Sequence, residues 1–351
     1  MAADTGQTRG AVDLSRLADY LAGEPAFCQA LPIHAIERIG RGQSNLTFRL
    51  ALADRTVILR RPPLGPLPPS AHDVLREFRV LRGLFGSQVP VPRPLLACAD
   101  PAVLGAPFYL MEELRGDAIR FELPPALATM PVPERRAIGE QVVEALAALH
   151  TTDPAPVGLA ALGQPTGYLA RQLRRWRGQL DYARTRPLPD LDWTSAWLER
   201  NLPPDVERPS IVHGDYKLDN VLFALEPPPR LLAVVDWELA TLGDPLADLG
   251  WLLAFWRDAG DPPLELPILP HVTQLPGFST RAELAERYAA RVGRPLPALR
   301  FYVVFALWKL AVVLEGHWAR HVRGTAGDFD FAYLETAGPA FAERIRRTAQ
   351  Q

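Results

Sequence analysis

Lysine is all but absent from this chain: among 351 residues, 38 of them Lys or Arg, only Lys217 and Lys309 are lysines. The basic charge is almost entirely guanidinium, so any site before residue 217 that calls for an ammonium has none to use. Cysteine is equally scarce, with Cys28 and Cys98 alone. Two thiols build no disulfide framework, and the cytoplasm is the expected location. An excess of one charge is missing too, the net charge being −2. That leaves no general field to hold nucleic acid or an anionic membrane. Residues Met1 to Gly10 are polar and lack the apolar core of a signal segment. The most apolar stretch, Phe301 to Leu314, carries Lys309 and is short for a bilayer, so it reads as a buried helix. Neither nucleic acid nor membrane is an expected partner.

What is present is enough apolar material for a large core. The hydrophobic fraction is 48% and the chain is long enough for two lobes. Proline is abundant, and its clusters at Pro62–Pro69, Pro90–Pro94, Pro227–Pro229 and Pro262–Pro270 punctuate the chain into elements. Asp13 to Leu21 has helical spacing. Ile36 to Gly42, Leu46 to Leu50 and Thr56 to Arg60 read as strands. Ser70 to Phe85 reads as a helix with Ser70 as its cap. Leu95 to Cys98 and Phe108 to Met111 complete five strands. Beyond about Glu113 the pattern turns helical: Pro133 to His150, Gly167 to Thr185, Thr194 to Asn201, Pro245 to Trp256, Thr280 to Val292, Leu296 to Arg320 and Tyr333 to Arg347. One strand-loop-strand segment, Ile211 to Val235, interrupts the helices. The expectation is an α+β chain with an N-terminal lobe over 1–113 and a C-terminal lobe over 114–351.

The chemistry concentrates in that interruption. His213-Gly214-Asp215-Tyr216-Lys217-Leu218-Asp219-Asn220 lies between apolar runs, and the next strand ends at Asp236-Trp237-Glu238. A lone Asp in a loop is an ordinary turn former. An Asp, a Lys and an Asn at fixed offsets, followed by a second Asp one strand later, are a set suited to phosphoryl transfer. Asn and Asp oxygens suit Mg²⁺. A carboxylate that does not bind metal can orient a hydroxyl and accept its proton.

The spacing matches the catalytic loop of protein kinases, with Asn five residues past the Asp and a further Asp after the next strand. With Gly214 in place of the kinase Arg, and with Asp236-Trp-Glu, the chain resembles the aminoglycoside phosphotransferase family, which includes choline-kinase-like enzymes. The likeness runs from about Ile36 to Trp256. Within the family it looks most like the branch fused to acyl-CoA dehydrogenases in animals, on the strength of residues 213–220 and of Asp236-Trp-Glu-Leu-Ala-Thr-Leu-Gly-Asp-Pro-Leu-Ala-Asp-Leu249. The resemblance implies a bilobal protein-kinase-like fold, with an N-terminal antiparallel sheet plus helix and a mostly helical second lobe. It implies ATP and Mg²⁺ as cofactors. Asp215 would be the base, Lys217 would face the transferring phosphoryl group, and Asn220 and Asp236 would hold the metal. His213 would anchor the loop, and Asp248 would brace it.

In the first lobe the resemblance places the phosphate-covering hairpin at Gly40 to Asn45, with Ser44 and Asn45 facing the nucleotide; two glycines between strands are otherwise an ordinary turn. The lysine that the family carries at the end of the third strand is missing. Arg60 stands there, with Glu77 of the next helix as its partner, either at the nucleotide or as a plain surface pair. Glu113 and Leu114 fall at the hinge, where backbone groups would meet adenine, with Ile58 stacking on it. Glu238 could approach a metal-bound water or the acceptor, or stay solvated.

Helices after Leu249 would form the acceptor pocket, and they carry Trp251, Trp256, Tyr302, Trp308, His317 and Trp318. Arginines outnumber carboxylates there slightly. A polycationic drug fits that poorly, and an anionic acceptor such as a hydroxyacyl-CoA fits better. Three readings stay open: a kinase of a small-molecule hydroxyl, an aminoglycoside-modifying kinase, and a nucleotide-binding module without transfer. The partners are a small-molecule acceptor and a nucleotide. Composition is silent on oligomeric state.

Overall fold

The structure is a computed structural model and describes residues 12–39, 45–64, 73–120, 123–262, 266, 269, 271–327 and 329–351. It divides into two compact units, Met1–Gly116 with Leu232–Ala240, and Asp117–Leu231 with Thr241–Gln351. The segment 232–240 therefore returns to the first unit after the chain has entered the second.

The first unit is a sheet faced by helices. In chain order it contains α1 (Leu14–Ala22), β1 (Ala35–Ile39), β2 (Leu46–Ala51), β3 (Thr56–Arg61), α2 (Val74–Leu84), β4 (Pro94–Cys98), the short α3 (Pro101–Leu104) and β5 (Phe108–Glu112). The five strands are antiparallel in the order β1-β2-β3-β5-β4. Alternation along β3 sorts its side chains onto two faces. Val57 and Leu59 join Phe48, Leu50, Phe108 and Leu110 in a core closed by Leu17 and Leu21 of α1. Ile58 and Arg60 point the other way, and Arg60 lies opposite Tyr109 across the β3–β5 ladder. β3 is buried on both sides apart from its first residue.

One helix start in this unit differs from the sequence reading. The helix expected from Ser70 starts at Val74, because Asp73 caps it, its carboxylate accepting from the Arg76 backbone N–H at 2.9 Å. Ser70 and the hairpin residues 40–44 lie outside the described residues.

The second unit is mostly helical. Its elements are β6 (Asp117–Ala118), α4 (Pro125–Thr129), α5 (Val132–Thr151), α6 (Tyr168–Ala183), α7 (Pro189–Arg200), β7 (Ser210–Val212), β8 (Val221–Ala224), β9 (Arg230–Val234), β10 (Thr241–Gly243), α8 (Leu246–Phe255), α9 (Arg281–Val292), α10 (Leu299–Val322) and α11 (Leu334–Gln350). The chain passes back to the first unit within β9. Two short antiparallel pairings, β6 with β8 and β7 with β10, frame the loop that carries Asp215. The helix expected from Thr194 begins at Pro189, where proline at the first turn and Asp190 and Asp192 behind it favour a helix start. The one expected from Leu296 begins at Leu299, after Ala298 takes a left-handed conformation at φ 55°. Thr280 and Glu283 cap α9 reciprocally, each accepting from the other's backbone N–H. Among the described residues, no helix is long and apolar enough to cross a membrane.

Candidate active site

In the first unit the sequence-predicted residues Arg60, Glu77 and Asp236 come together. Arg60 sits at the end of β3, Glu77 on the buried face of α2, and Asp236 just past β9. Arg60 Nε lies 3.3 Å from Glu77 Oε2, and Arg60 Nη2 donates to Asp236 Oδ1 at 3.0 Å. Glu77 is 1% exposed and Arg60 is 8%, so this is an interior pair; the plain surface reading is set aside. Burial works against the charge on Arg60, but Glu77, Tyr109 and Asp236 outweigh it and raise its pKa. Burial also raises Glu77, against the pull of Arg60. The guanidinium does not lose its proton in the accessible range, so the cluster keeps a fixed positive charge at the end of β3.

Asp236 has a second peculiarity. Its backbone is left-handed, at φ 69° and ψ 62°, and a 3₁₀ turn of Trp237–Leu239 follows directly. Asp tolerates that region better than most residues, yet it remains a costly conformation that surrounding packing must enforce. The Trp237 indole donates to Val234 O at 3.0 Å and pins the turn. The Asp236 side chain stays 31% exposed. Close by, Asn45 Nδ2 donates to Glu238 Oε2 at 3.3 Å, which gives Glu238 a partner within the unit. Glu113 is engaged apart from this cluster, with Arg49 Nε donating to its Oε1 at 2.5 Å. Leu114 follows β5 and is half-buried. Ser44 lies outside the described residues.

In the second unit the loop between β7 and β8 gathers Asp215, Lys217 and Asn220. Lys217 Nζ donates to both Asp215 oxygens, at 3.1 and 3.0 Å. Asn220 Nδ2 donates to Asp215 Oδ2 at 3.0 Å and to the Asp215 backbone carbonyl at 2.9 Å. With its nitrogen turned to Asp215, the Asn220 oxygen is the atom left for a metal. The third donor is Trp251 of α8, whose Nε1 reaches Asp215 Oδ1 at 2.7 Å. Asp215 is thus a carboxylate fixed by three side chains and still 24% exposed, held rigidly and within reach of a ligand.

The loop has a brace. Asp248, two residues into α8, accepts from the backbone N–H groups of His213 at 2.6 Å and Gly214 at 2.8 Å. It also lies 3.3 Å from His150 Nε2, whose other ring nitrogen is 2.7 Å from the Tyr288 hydroxyl. Burial opposes the charge on Asp248, yet His150 and then His213, through its ring and its backbone amide, hold its carboxyl below the usual range. His213 is fully buried, and its Nδ1 accepts from Asp215 N at 3.2 Å, an anchoring contact. Gly214 turns the loop at φ 85°, a left-handed value that glycine adopts freely.

Lys309 of α10 approaches the same loop from another side. It donates to Gly214 O at 3.2 Å and lies over the Trp251 ring at 4.0 Å from its centroid. Burial pulls its pKa down to about 8. Of the aromatics expected to serve an acceptor, Trp256 and Trp308 are core residues whose indoles donate to Ser279 O and Leu191 O. Tyr302 donates to Asp244 at 2.7 Å. Sequence reasoning missed His150 and Lys309. Neither belongs to a local motif, and only the packing of α5 and α10 brings them to the loop.

An antiparallel five-stranded sheet whose third strand ends in a cation paired with a helix Glu, together with a helical unit built around a His-Gly-Asp loop, defines the protein-kinase-like fold. The chain matches the phosphotransferase enzyme family over residues 35–302, and it belongs to that family. Acyl-CoA dehydrogenase family member 11 of Rattus norvegicus is 38% identical over 307 residues, 85% of this chain and 38% of that protein. The chain thus spans well under half the length of that relative. A solved structure from Ralstonia eutropha, assigned to the aminoglycoside phosphotransferases, is 32% identical with a TM-score of 0.80, covering 96% of this chain and 98% of the other. A thermostable mutant of an aminoglycoside phosphotransferase, in ternary complex with ADP and hygromycin B, is 17% identical with a TM-score of 0.60 and coverages of 95% and 98%. That last likeness is one of fold.

Proposed function

We propose that the protein is an ATP- and Mg²⁺-dependent phosphotransferase acting on the hydroxyl of a small molecule, and that a hydroxyacyl-CoA is its acceptor. The observation that carries the reading is the Asp215 carboxylate, clamped by Lys217, Asn220 and Trp251 yet open on one side. Phosphoryl transfer asks little covalent chemistry of a protein and much positioning. A carboxylate held in this way orients an alcohol and takes its proton as the oxygen attacks phosphorus. Lys217 sets positive charge beside it, where charge develops on the transferring group.

In the first unit, Arg60 replaces the family's lysine as the phosphate-facing cation, oriented by Glu77. Adenine meets the backbone at Glu113 and Leu114 with Ile58 against its face, and the nucleotide phosphates meet Ser44 and Asn45. The donor set suits magnesium: Asp236 offers an exposed carboxylate and Asn220 an amide oxygen. Mg²⁺ is usually bound by one or two such groups, with water and nucleotide phosphates filling its shell. When bound, the metal neutralises phosphate charge. The ADP of the ternary aminoglycoside phosphotransferase complex supports nucleotide use. The acceptor class rests on kinship with the acyl-CoA dehydrogenase family member.

A panel of alcohols, hydroxyacyl-CoA thioesters and aminoglycosides, incubated with Mg·ATP and read by mass spectrometry, tests the reading. A gain of one phosphoryl group on a hydroxyacyl-CoA is expected. Asp215→Asn should lower that transfer by roughly 10²–10⁴-fold while leaving Mg·ATP binding in place. Undiminished turnover in that variant would sink the assignment of the base. Nucleotide binding with no phosphorylated product anywhere in the panel would favour a binding module, and product on an aminoglycoside alone would move the acceptor class.

A further inference from the structure

The helical unit contains a cavity of about 1010 Å³ on the far flank of the helices that carry side chains to Asp215. Its apolar wall includes Leu253 of α8, Val303 and Leu307 of α10, and Phe341 of α11. Leu253 stands two residues after Trp251 and Leu307 two residues before Lys309, and two residues are ~200° of turn on an α-helix. Trp251 and Lys309 face the Asp215 loop. Both helices therefore present one face to the loop and the opposite face to the cavity.

Among the described residues, arginine dominates the charged lining of this cavity: Arg257, Arg281, Arg300, Arg344 and Arg347 line it, with one carboxylate, Asp261. Arg281 is paired with Asp258 and Asp261, and Arg347 with Glu343, which leaves Arg257 and Arg344 as the cations of interest. The Asp261 carboxylate is thus engaged, with Arg281 Nη2 donating to its Oδ1 at 2.5 Å. Arg257 is 2% exposed. Its Nη1 and Nη2 reach His271 Nδ1 at 2.9 Å and Pro262 O at 2.6 Å, but its Nε is buried with no partner among the described residues. Arg344, half-buried on the same α11 stripe as Phe341, has no ion pair among the described residues. A buried guanidinium N–H without an acceptor is costly and calls for an anion or a water. Burial lowers the pKa of both Arg257 and Arg344; Asp261 works against that, and nearby guanidiniums, Arg281 for both and Arg344 for Arg257, add to it.

We propose that this cavity is a binding site for an amphipathic anion, an alkyl chain ended by a carboxylate or phosphate, seated apart from the Asp215 loop. The aliphatic wall takes the chain, Arg344 forks onto the head, and Arg257, its terminal nitrogens held by His271 and Pro262, offers its Nε. The volume lies at the upper end of the range of small-molecule sites, roughly 300–1,000 Å³, and leaves room for a medium-length chain. The proposal is independent of phosphoryl transfer and needs no nucleotide.

Calorimetric titration of the whole protein with decanoate, decyl phosphate and decanol, each below its aggregation limit, tests it. Saturable one-to-one binding of at least one anion, tenfold or more tighter than decanol, is expected. The tighter anion identifies the head. Arg344→Glu should weaken that anion at least tenfold, and Val303→Trp, which fills the chain space, should abolish binding of all three ligands. Saturating Mg·ATP should leave the isotherm unchanged. The site is refuted if no anion binds saturably, if decanol binds as tightly as the anions, or if Mg·ATP displaces the ligand. Should Arg344→Glu fail to fold, the head-group comparison on the unaltered protein decides alone.

Discussion

At the scale of the residue, Arg60 stands where the resemblance led one to expect a lysine, and its surroundings say what the guanidinium does there. A lysine would offer one ammonium; the guanidinium spans two carboxylates, Glu77 at 3.3 Å and Asp236 at 3.0 Å. Glu77 is fully interior, so truncating its partner leaves a carboxyl with no counter-charge. Arg60→Ala should therefore cost about 3–5 kcal/mol in chemical denaturation. Arg60→Lys keeps the charge but loses the fork, and should recover most of that stability. If Arg60 faces nucleotide phosphates, both variants should weaken Mg·ATP binding, with the lysine variant the less affected. An alanine variant as stable as the parent would show that the pair is not held in the interior. Identical Mg·ATP affinity in all three proteins would remove Arg60 from the nucleotide site while leaving its structural part intact.

At the scale of the element, the packing of α8 against α10 sets the position of Asp215, because α8 carries both Trp251 and Asp248 to the loop. The two helices approach closely at Gly250, where an added Cβ would lie 2.6 Å from the backbone carbonyl of Tyr302. Backbone cannot yield as a side-chain tip does, so Gly250→Ala should push the helices apart. The expected loss is about 1–3 kcal/mol. The Trp251 indole should shift from Asp215 as well, visible as a change in its fluorescence. Unchanged stability and fluorescence would mean that the contact is looser than drawn. Legibility from sequence divides at this same scale. The five strands, the Asp215 loop and the helices around it were readable, since period-two and 3.6-residue patterns and a local motif carry them. Helix starts were less so: Asp73 and Pro189 outcompeted Ser70 and Thr194 as starting points, a choice made by local cap geometry and packing. Interactions such as Trp251 with Asp215, Lys309 with Gly214 and His150 with Asp248 left no trace, because each joins residues far apart in the chain through tertiary contact. The return of 232–240 to the first unit was hidden for the same reason: a strand looks alike in sequence whichever unit it joins.

At the scale of the whole molecule, the scarcity of lysine turns a compositional oddity into a measurement. With Lys217 and Lys309 alone, reductive methylation with labelled formaldehyde should give two lysine signals by nuclear magnetic resonance, assignable by single substitution. Lys309 should titrate near pH 8, well below an ordinary lysine, since burial disfavours its charge and the Asp215 carboxylate only partly compensates. The same shift has a consequence for stability whose sign is fixed. Between pH 8 and the ordinary value of 10.5 the unfolded chain binds more protons than the folded one, so Lys309 makes stability rise with pH across that window. Below pH 8 both states carry the proton, and the cost of burying the ammonium is present in full. Lys309→Met should consequently be worth most, relative to the parent, at neutral pH, and its advantage in melting temperature should shrink as pH approaches 10. Addition of Mg·ATP supplies the functional half of the experiment. The Lys217 signal should move on nucleotide binding if its ammonium meets the phosphates. A Lys309 midpoint above 10 would show its ammonium to be solvated instead of packed beneath Trp251, and an unmoved Lys217 signal at saturating nucleotide would take that residue out of the transfer step.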